Sequence, residues 1–420
     1  MNKKQLVVIG GGAAGFFCAV NAARMNPGIE VTIIEKTNKL LSKVKVSGGG
    51  RCNVTHACFS IAEMIKKYPR GATFLKKIFH HFFTTDTIAW FKERGVELKT
   101  EADGRMFPVT NTSQTIVDCL VREANKYGVK IVMNAEVKQW IVNDTAQQNA
   151  AAFTIKISDE RILHANFICI AGGGYPKIAQ FEWLKNAAHE IEEPVPSLFT
   201  FNMPGNAITS LMGISVENAA VKIMGSKLSE QGPLLITHWG MSGPAILKLS
   251  AWGARELHEK NYAFKILVNW VPAFNENTLR EKMLQLRFEL AAQKIINRNP
   301  FALPGRLWEY LLQQSEVAAE LRWADLPAIK QNKLIKNLCA QEFEVKGKTT
   351  FKEEFVTAGG IQLDAIDFNT MQSKKIPGLF FAGEVINVDG ITGGFNFQNA
   401  WTTGWIAAKA ISGVREEKSK

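Results

Sequence analysis

A parallel α/β sheet assembled from both ends of the chain, interrupted by an inserted domain, is the architecture that these 420 residues predict. Three observations carry it. A strand, a glycine turn, a helix and a second strand open the chain. Glycine clusters recur where apolar runs end, near both termini. Between them the pattern changes to short alternating segments followed by a helical block. The length allows two or three domains, and 46% hydrophobic against 21% charged residues is the balance of a protein with a substantial core.

The first unit reads in order. Gln5–Ile9 is a short β-branched run that ends in Gly10-Gly11-Gly12-Ala13-Ala14-Gly15. Phe16–Met25 is alanine-rich and suits a helix, Pro27-Gly28 stops it, and Glu30–Glu35 is a second strand of the buried type. This is the G-x-G-x-x-G order of a dinucleotide fold, with an acid, Glu35, 20 residues past Gly15. Gly10 permits the tight turn, Gly12 lets the backbone approach a pyrophosphate, and Gly15 lets the helix pack on the strand. The helix N-terminus offers free N–H groups and a positive dipole end. Glu35 is placed to accept hydrogen bonds from ribose hydroxyls and to repel a 2′-phosphate.

Four more clusters follow apolar runs. Val44–Val46 leads to Ser47-Gly48-Gly49-Gly50-Arg51-Cys52-Asn53, and Phe167–Ile170 to Ala171-Gly172-Gly173-Gly174-Tyr175-Pro176. Phe355–Thr357 leads to Ala358-Gly359-Gly360, and Leu379–Phe381 to Ala382-Gly383-Glu384. Ligands of open α/β sheets bind outside the carboxyl ends of the strands, so clusters from both chain ends argue for one long ligand touched by many loops. Glu384 suits ribityl hydroxyls. The stretch Thr392–Ala400 opens a helix through about Ile411, whose N-terminus can stabilise negative charge on a reduced flavin. A nicotinamide-only dehydrogenase does not need this second half-site, so the pattern favours FAD.

On VVIGGGAAG (7–15), SGGGRCNVT (47–55), DGRMFPVT (103–110), AGGGYP (171–176), THWGMSGPAIL (237–247), VTAGGI (356–361) and AGEVINVDGITGGFNFQNA (382–400), nearly the whole chain resembles the BaiN-like, or YhiN-like, bacterial FAD-dependent oxidoreductases. These belong to the two-dinucleotide-binding-domain flavoproteins. The resemblance implies FAD contacts from Gly10, Gly12, Ala14 and Gly15, from Glu35, and from Gly49, Gly50, Arg51, Cys52 and Asn53. It implies further contacts from Gly172, Gly383 and Glu384, and from Gly394, Phe395, Asn396 and Phe397. In the strand Ala135–Trp140 it points to the backbone of Val137 as the adenine contact. Many members carry a polar, flexible stretch after the Tyr-Pro. Here the bulky segment from Lys177 to Leu184 stands instead, so the substrate class is not carried over from any one member.

From Pro196 to about Thr350 the pattern differs. Val221–Met224, Pro233–Thr237 and Tyr262–Trp270 predict a small antiparallel barrel or sheet. A helical subdomain follows over 275–340: Glu276–Ile296, Leu307–Leu312, and Pro327–Cys339 capped by Asp325. Phe343–Val345 and Phe355–Val356 return the chain to the first domain. The expected organisation is a Rossmann-like FAD-binding domain over 1–195 and 351–420, with a substrate or lid domain over 196–350.

Other features bound the function. No apolar run reaches the ~18 residues of a membrane span. Glycines interrupt the signal-like start, and six cysteines without a C-x-x-C suit reduced thiols, so a cytoplasmic setting is expected and a zinc site is not. Residues 1–100 hold sixteen basic and six acidic side chains, nearly all of the formal charge of +11. Part of that excess, Arg51 with Lys43 or Lys45, suits an anionic cofactor; Lys66-Lys67, Arg70 and Lys76-Lys77 do not. His238 is the candidate for proton transfer, although a histidine bonded to its own loop fits the pattern as well. Arg105 is a candidate for binding a substrate anion, and Tyr175 for closing over the isoalloxazine, with packing on Pro176 as the alternative. The leading expectation is a small-molecule FAD oxidoreductase. NAD(P)H is a plausible donor, but no second G-x-G-x-x-G marks a nicotinamide domain. An oxygen-using oxidase and an RNA-modifying flavoprotein are the alternatives, nucleic acid being the less favoured partner. The sequence leaves oligomeric state open.

Overall fold

The computed structural model describes residues 3–143, 151–185, 188–349 and 356–414. The chain divides into two compact units, Met1–Pro196 with Phe351–Lys420, and Ser197–Thr350.

The first unit is built on a five-stranded parallel sheet in the order Leu379–Phe381, Phe167–Ile170, Lys4–Ile9, Ile29–Ile34, Lys130–Val132. The first strand lies centrally. The chain leaves it on one side for Ile29–Ile34 and later returns on the other for Phe167–Ile170, so the strand order reverses at its carboxyl end. That reversal opens the crevice in which such sheets bind ligands. The following helix, Ala13–Met25, buries every residue from Ala14 to Ala23. It starts three residues earlier than the sequence suggests, because Gly12 itself serves as the N-cap.

The long C-terminal helix, Phe395–Ser412, packs against that first helix. A methyl group at Gly404 would come 2.7 Å from the Ala14 carbonyl oxygen, so the two backbones meet without a side chain between them. Phe17 fills the space beside this contact, with ring centroids 4.6 Å from Trp90, 5.2 Å from Trp401 and 5.5 Å from Phe82. Each such pair adds roughly 0.5–1.5 kcal/mol beyond area burial. The aromatic run Phe74–Phe83 is therefore largely core, and His80 lies on its exposed side.

Two of the expected strand ends differ. Val44–Val46 lies in a helical turn that begins at Ser42 and breaks at Ser47. Leu41 turns the chain there, and its carbonyl accepts the Lys45 N–H. Gly359 and Gly360 lie inside a buried strand, Val356–Ile361, rather than in a loop beyond it. A Cβ at Gly359 would strike the Glu193 carbonyl oxygen at 2.5 Å, and one at Gly360 the Val385 carbonyl oxygen at 2.4 Å. These glycines answer to strand packing. Phe355 lies outside the described residues.

The second unit carries a seven-stranded antiparallel sheet in the order Gln341–Lys346, Ala263–Asn269, Ser215–Ile223, Ser229–Thr237, Gly240–Ser242, Thr200–Asn202, Lys348–Thr349. Its two outermost strands are separated only by Gly347, so one stretch of chain joins both edges of the sheet. Besides Pro244–Trp252 and Ala254–Glu259, three helices form the block expected over 275–340: Glu276–Glu289, Gly305–Gln314 and Ala328–Cys339. Among these three, the first ends seven residues before Ile296. Beyond it, Trp323 and Ala324 donate backbone bonds to the Gln293 and Ala291 carbonyls, and this tertiary pairing displaces further helix. Asp325 does not cap Ala328–Cys339. Its carboxylate is held by Arg322 at 2.8 Å, and the helix begins after Pro327 without a side-chain cap.

Candidate active site

In the first unit the glycine loops converge at the carboxyl ends of the parallel strands. Gly10 takes φ +114°, which an L side chain rarely adopts, and a Cβ there would lie 2.4 Å from the Ala171 carbonyl oxygen. A Cβ at Gly15 would lie 2.0 Å from the Gly10 oxygen, so helix and turn touch backbone to backbone. Gly12 differs, since a Cβ there would meet nothing within 4 Å. Its open side, with an uncapped helix N-terminus behind it, is where a pyrophosphate would rest. Gly49, Gly50 and Gly173 are open in the same sense.

At one end of this line stands Glu35. Its Oε2 accepts the Gly11 N–H at 2.9 Å and its Oε1 accepts the N–H and hydroxyl of Thr37 at 2.9 and 2.8 Å. The carboxylate is thus oriented by its own loop. Its remaining lone pairs can still serve a ribose. The Ala135 N–H donates to the Glu35 carbonyl, which brings half-buried Val137, two residues on, to the same end. Tyr175 is here too. Its hydroxyl would lie 2.4 Å from a Cβ at Gly172, the Lys36 ammonium sits 5.8 Å from its ring centroid, and its ring meets Phe181 edge-on at 4.8 Å. Burial first, then the charges of Glu35 and Glu136, push its phenol up to about 12. Tyr175 therefore stands as a neutral hydroxyl beside Gly172, within reach of the charges of Glu35 and Glu136. The bulky Lys177–Leu184 segment secures this position by burying Phe181 and Leu184.

Along the line the two chain ends meet. A Cβ at Gly383 would come 2.7 Å from that of Ala14. The Glu384 carboxylate accepts the Lys43 ammonium at 2.6 Å and the Thr357 N–H at 2.9 Å. The buried Thr357 hydroxyl has no hydrogen-bond partner among the described residues. An orphaned hydroxyl beside a carboxylate fits the ribityl chain of a flavin nucleotide.

At the other end the Ser47–Asn53 loop meets the C-terminal helix. With its amide oriented to satisfy both ends, Asn53 accepts the Gly394 N–H and donates to the Thr55 carbonyl, each at 3.0 Å. Gly394 leads into Phe395, Asn396 and Phe397 with no side-chain cap, leaving the helix N-terminus available to negative charge. Asn396 is turned back to bond the Gly390 N–H at 2.7 Å and its carbonyl at 2.9 Å. Cys52 is wholly buried, and burial pushes its thiol up to about 12, so it stays protonated and inert.

The arginines do not stand free. Arg51 bonds Glu101 at 2.5 Å and lies 4.0 Å over the Phe107 ring. Arg105 bonds Asp103 at 2.6 Å and reaches Glu101 at 3.4 Å. Their expected anion-binding roles compete with these carboxylates. His238 lies in the second unit, exposed in a two-residue hairpin turn, with its ring 4.2 Å from that of Trp239.

One residue escaped the sequence reading. His56 Nδ1 lies 3.0 Å from the Gly393 carbonyl oxygen, and its ring stacks on Phe395 at 4.7 Å. Burial lowers its pKa, opposed by the Gly393 bond and Asp103 and assisted by Lys67 and Arg105. No local pattern marks this histidine, since its partner lies 337 positions away.

A family model described as the HI0933-like protein Rossmann domain matches residues 4–410. The chain belongs to the HI0933-like family. It is 30% identical, over 97% of its length and 98% of the relative's, to the ribosomal RNA dihydrouridine synthase of Haemophilus influenzae. It is 23% identical, over 97% and 99%, to the 3-dehydro-bile acid delta(4,6)-reductase of Clostridium scindens. The fold resembles that of the 3-ketosteroid delta1-dehydrogenase of Sterolibacterium denitrificans at TM-score 0.52 and 12% identity, covering 98% and 100% of the two chains. No helix among the described residues is long and apolar enough to cross a membrane.

Proposed function

We propose that this family member is an FAD-dependent reductase that adds hydrogen across a carbon–carbon double bond conjugated with a carbonyl. The observation that carries the proposal is the meeting of the open glycine turns at Gly12 and Gly173 with the Glu384–Thr357 pair and an uncapped helix N-terminus from the other end of the chain. Together they match the parts of one flavin nucleotide. Both curated relatives bear names that describe saturation of a double bond.

FAD, when bound, supplies the two-electron chemistry. Gly12 and the first helix N-terminus hold the pyrophosphate, Glu35 and the Val137 backbone hold the adenosine, and Glu384 with Thr357 holds the ribityl chain. Gly49, Gly50 and Asn53 shape the ring side, where the helix starting at Phe395 stabilises negative charge. The overall reaction takes a hydride equivalent, two electrons with one proton, from NAD(P)H and one further proton from solvent. An imidazole is assigned to the proton that goes to the substrate carbon: His238 of the inserted unit, or His56 beside Gly393. Substrate binding is the role assigned to the inserted unit, which has its own core.

Among substrates, a uridine base within RNA is favoured by the relative at 30% identity and by the absence of any acidic residue from 64 to 85, where five cations stand. A small free enone is the second reading, favoured by the bile-acid relative. Anaerobic titration tests the proposal. NADH or NADPH should bleach the bound flavin, and uridine-containing RNA should restore its colour while dihydrouridine forms. Reoxidation by an enone but not by RNA selects the second reading. A protein that neither retains nor rebinds flavin refutes both. Once turnover is established, H56Q and H238Q separate the two imidazoles by which one alters the pH profile of kcat.

A further inference from the structure

We propose that the strip from Phe59 to Lys77 is the surface on which an RNA substrate docks, an inference that rests on the RNA reading above. The structure sorts its cations. Arg70 is not one of the docking groups, because it forms a two-pronged ion pair with wholly buried Asp389. Lys66, Lys67, Lys76 and Lys77 remain. The helix Ile61–Ile65 packs on the helix Ala72–Ile78. Met64, Phe74, Leu75 and Ile78 face inward, so Lys66, Lys76 and Lys77 are turned to solvent. Lys66 meets Glu63 at 2.7 Å on the open surface, a pair that water and salt weaken. Lys67 and Lys76 join no ion pair among the described residues, and Lys77 rests 4.7 Å over the Phe368 ring.

Seven residues before Lys66 in the chain, Phe59 is 60% exposed, an unusual setting for a large aromatic ring. Exposed rings among lysines are what single-stranded nucleic acid uses: phosphates meet the cations and an unstacked base lies on the ring. The strip also borders the candidate site. Phe59 is three residues from His56, the Lys67 charge acts on that imidazole, and the Lys67 carbonyl accepts the Ile391 N–H at 2.9 Å. A strand held here would present a neighbouring nucleotide to the start of the C-terminal helix.

The test uses the full-length, FAD-loaded protein and a short fluorescein-labelled RNA hairpin with uridines in its loop. Anisotropy is measured over a range of salt, alongside flavin content and dihydrouridine formation. Combining Lys66→Gln, Lys67→Gln, Lys76→Gln and Lys77→Gln should weaken binding at least about tenfold and flatten the salt slope by about 3, at ~0.7–0.9 per lost phosphate contact. Phe59→Ala should weaken binding about tenfold with the slope unchanged. Both variants should keep their flavin content and absorbance spectrum. If the wild type binds and reduces the RNA and both variants do so equally well, the docking assignment is wrong and the RNA reading stands. If the wild type neither binds nor reduces RNA, both fall. Preferential binding to anionic phospholipid vesicles, lost in the lysine variant, assigns the strip to a membrane surface and overturns the proposal.

Discussion

Single glycines in the opening turn have different duties, and substitution separates them. Gly10→Ala places a methyl group against the Ala171 carbonyl in a backbone conformation that alanine resists, so it should destabilise the first unit by several kcal/mol. Gly12→Ala has open space. It should leave the urea midpoint nearly unchanged while lowering FAD affinity at least tenfold, measured by flavin fluorescence quenching. Retained affinity would move the pyrophosphate elsewhere. His56 offers a second residue-scale test. Its folded pKa lies below its usual 6.5, chiefly through burial, so between those two values the unfolded chain binds more protons. Stability therefore rises with pH through that window and falls on acidification below about 6.5. His56→Gln should abolish this part of the pH dependence in urea unfolding, even with Asp103, Lys67 and Arg105 still facing the position.

At the scale of elements, the start of the C-terminal helix is held by segments far away in the chain. Tyr68 donates its hydroxyl to the Phe395 carbonyl at 2.7 Å, a methyl at Gly71 would collide with Val388, and Arg70 neutralises Asp389. Arg70→Ala leaves a buried carboxylate without its guanidinium, a change that typically costs about 3–5 kcal/mol. The expected outcome is a lower denaturation midpoint together with weaker flavin retention, because the same loop leads to Gly393 and Gly394. Loss of stability with flavin affinity intact would separate the clamp from the cofactor site.

For the molecule as a whole, the inserted unit has its own core, running from Phe199 to Val345. Its ends pair with each other, Thr200 opposite Thr349, so its excision breaks no ladder inside it. A fragment spanning 197–349 should fold alone, with one cooperative urea transition by tryptophan fluorescence and a near-UV circular dichroism signal. A fragment that binds ANS without a cooperative transition would show that this unit depends on the rest of the chain.

Much of this was legible in residues that lie close together. The Gly10–Gly15 turn and the acid ending the second strand are local patterns, because turn geometry and helix packing act over a few residues. The clusters at Gly172 and Gly383 could be read as strand ends for the same reason. Which charges remain available was not legible. The partner of Arg70 stands 319 positions away, that of Lys43 stands 341 away, and Arg51 is neutralised by Glu101, 50 positions away. Nor did spacing distinguish the glycines of Val356–Ile361, which admit a neighbouring backbone, from those that leave room for a ligand. The sequence by itself determined that this chain builds a dinucleotide crevice from both of its ends. Only the tertiary structure decided which side chains face that crevice, since ion pairing and close packing depend on distance in space.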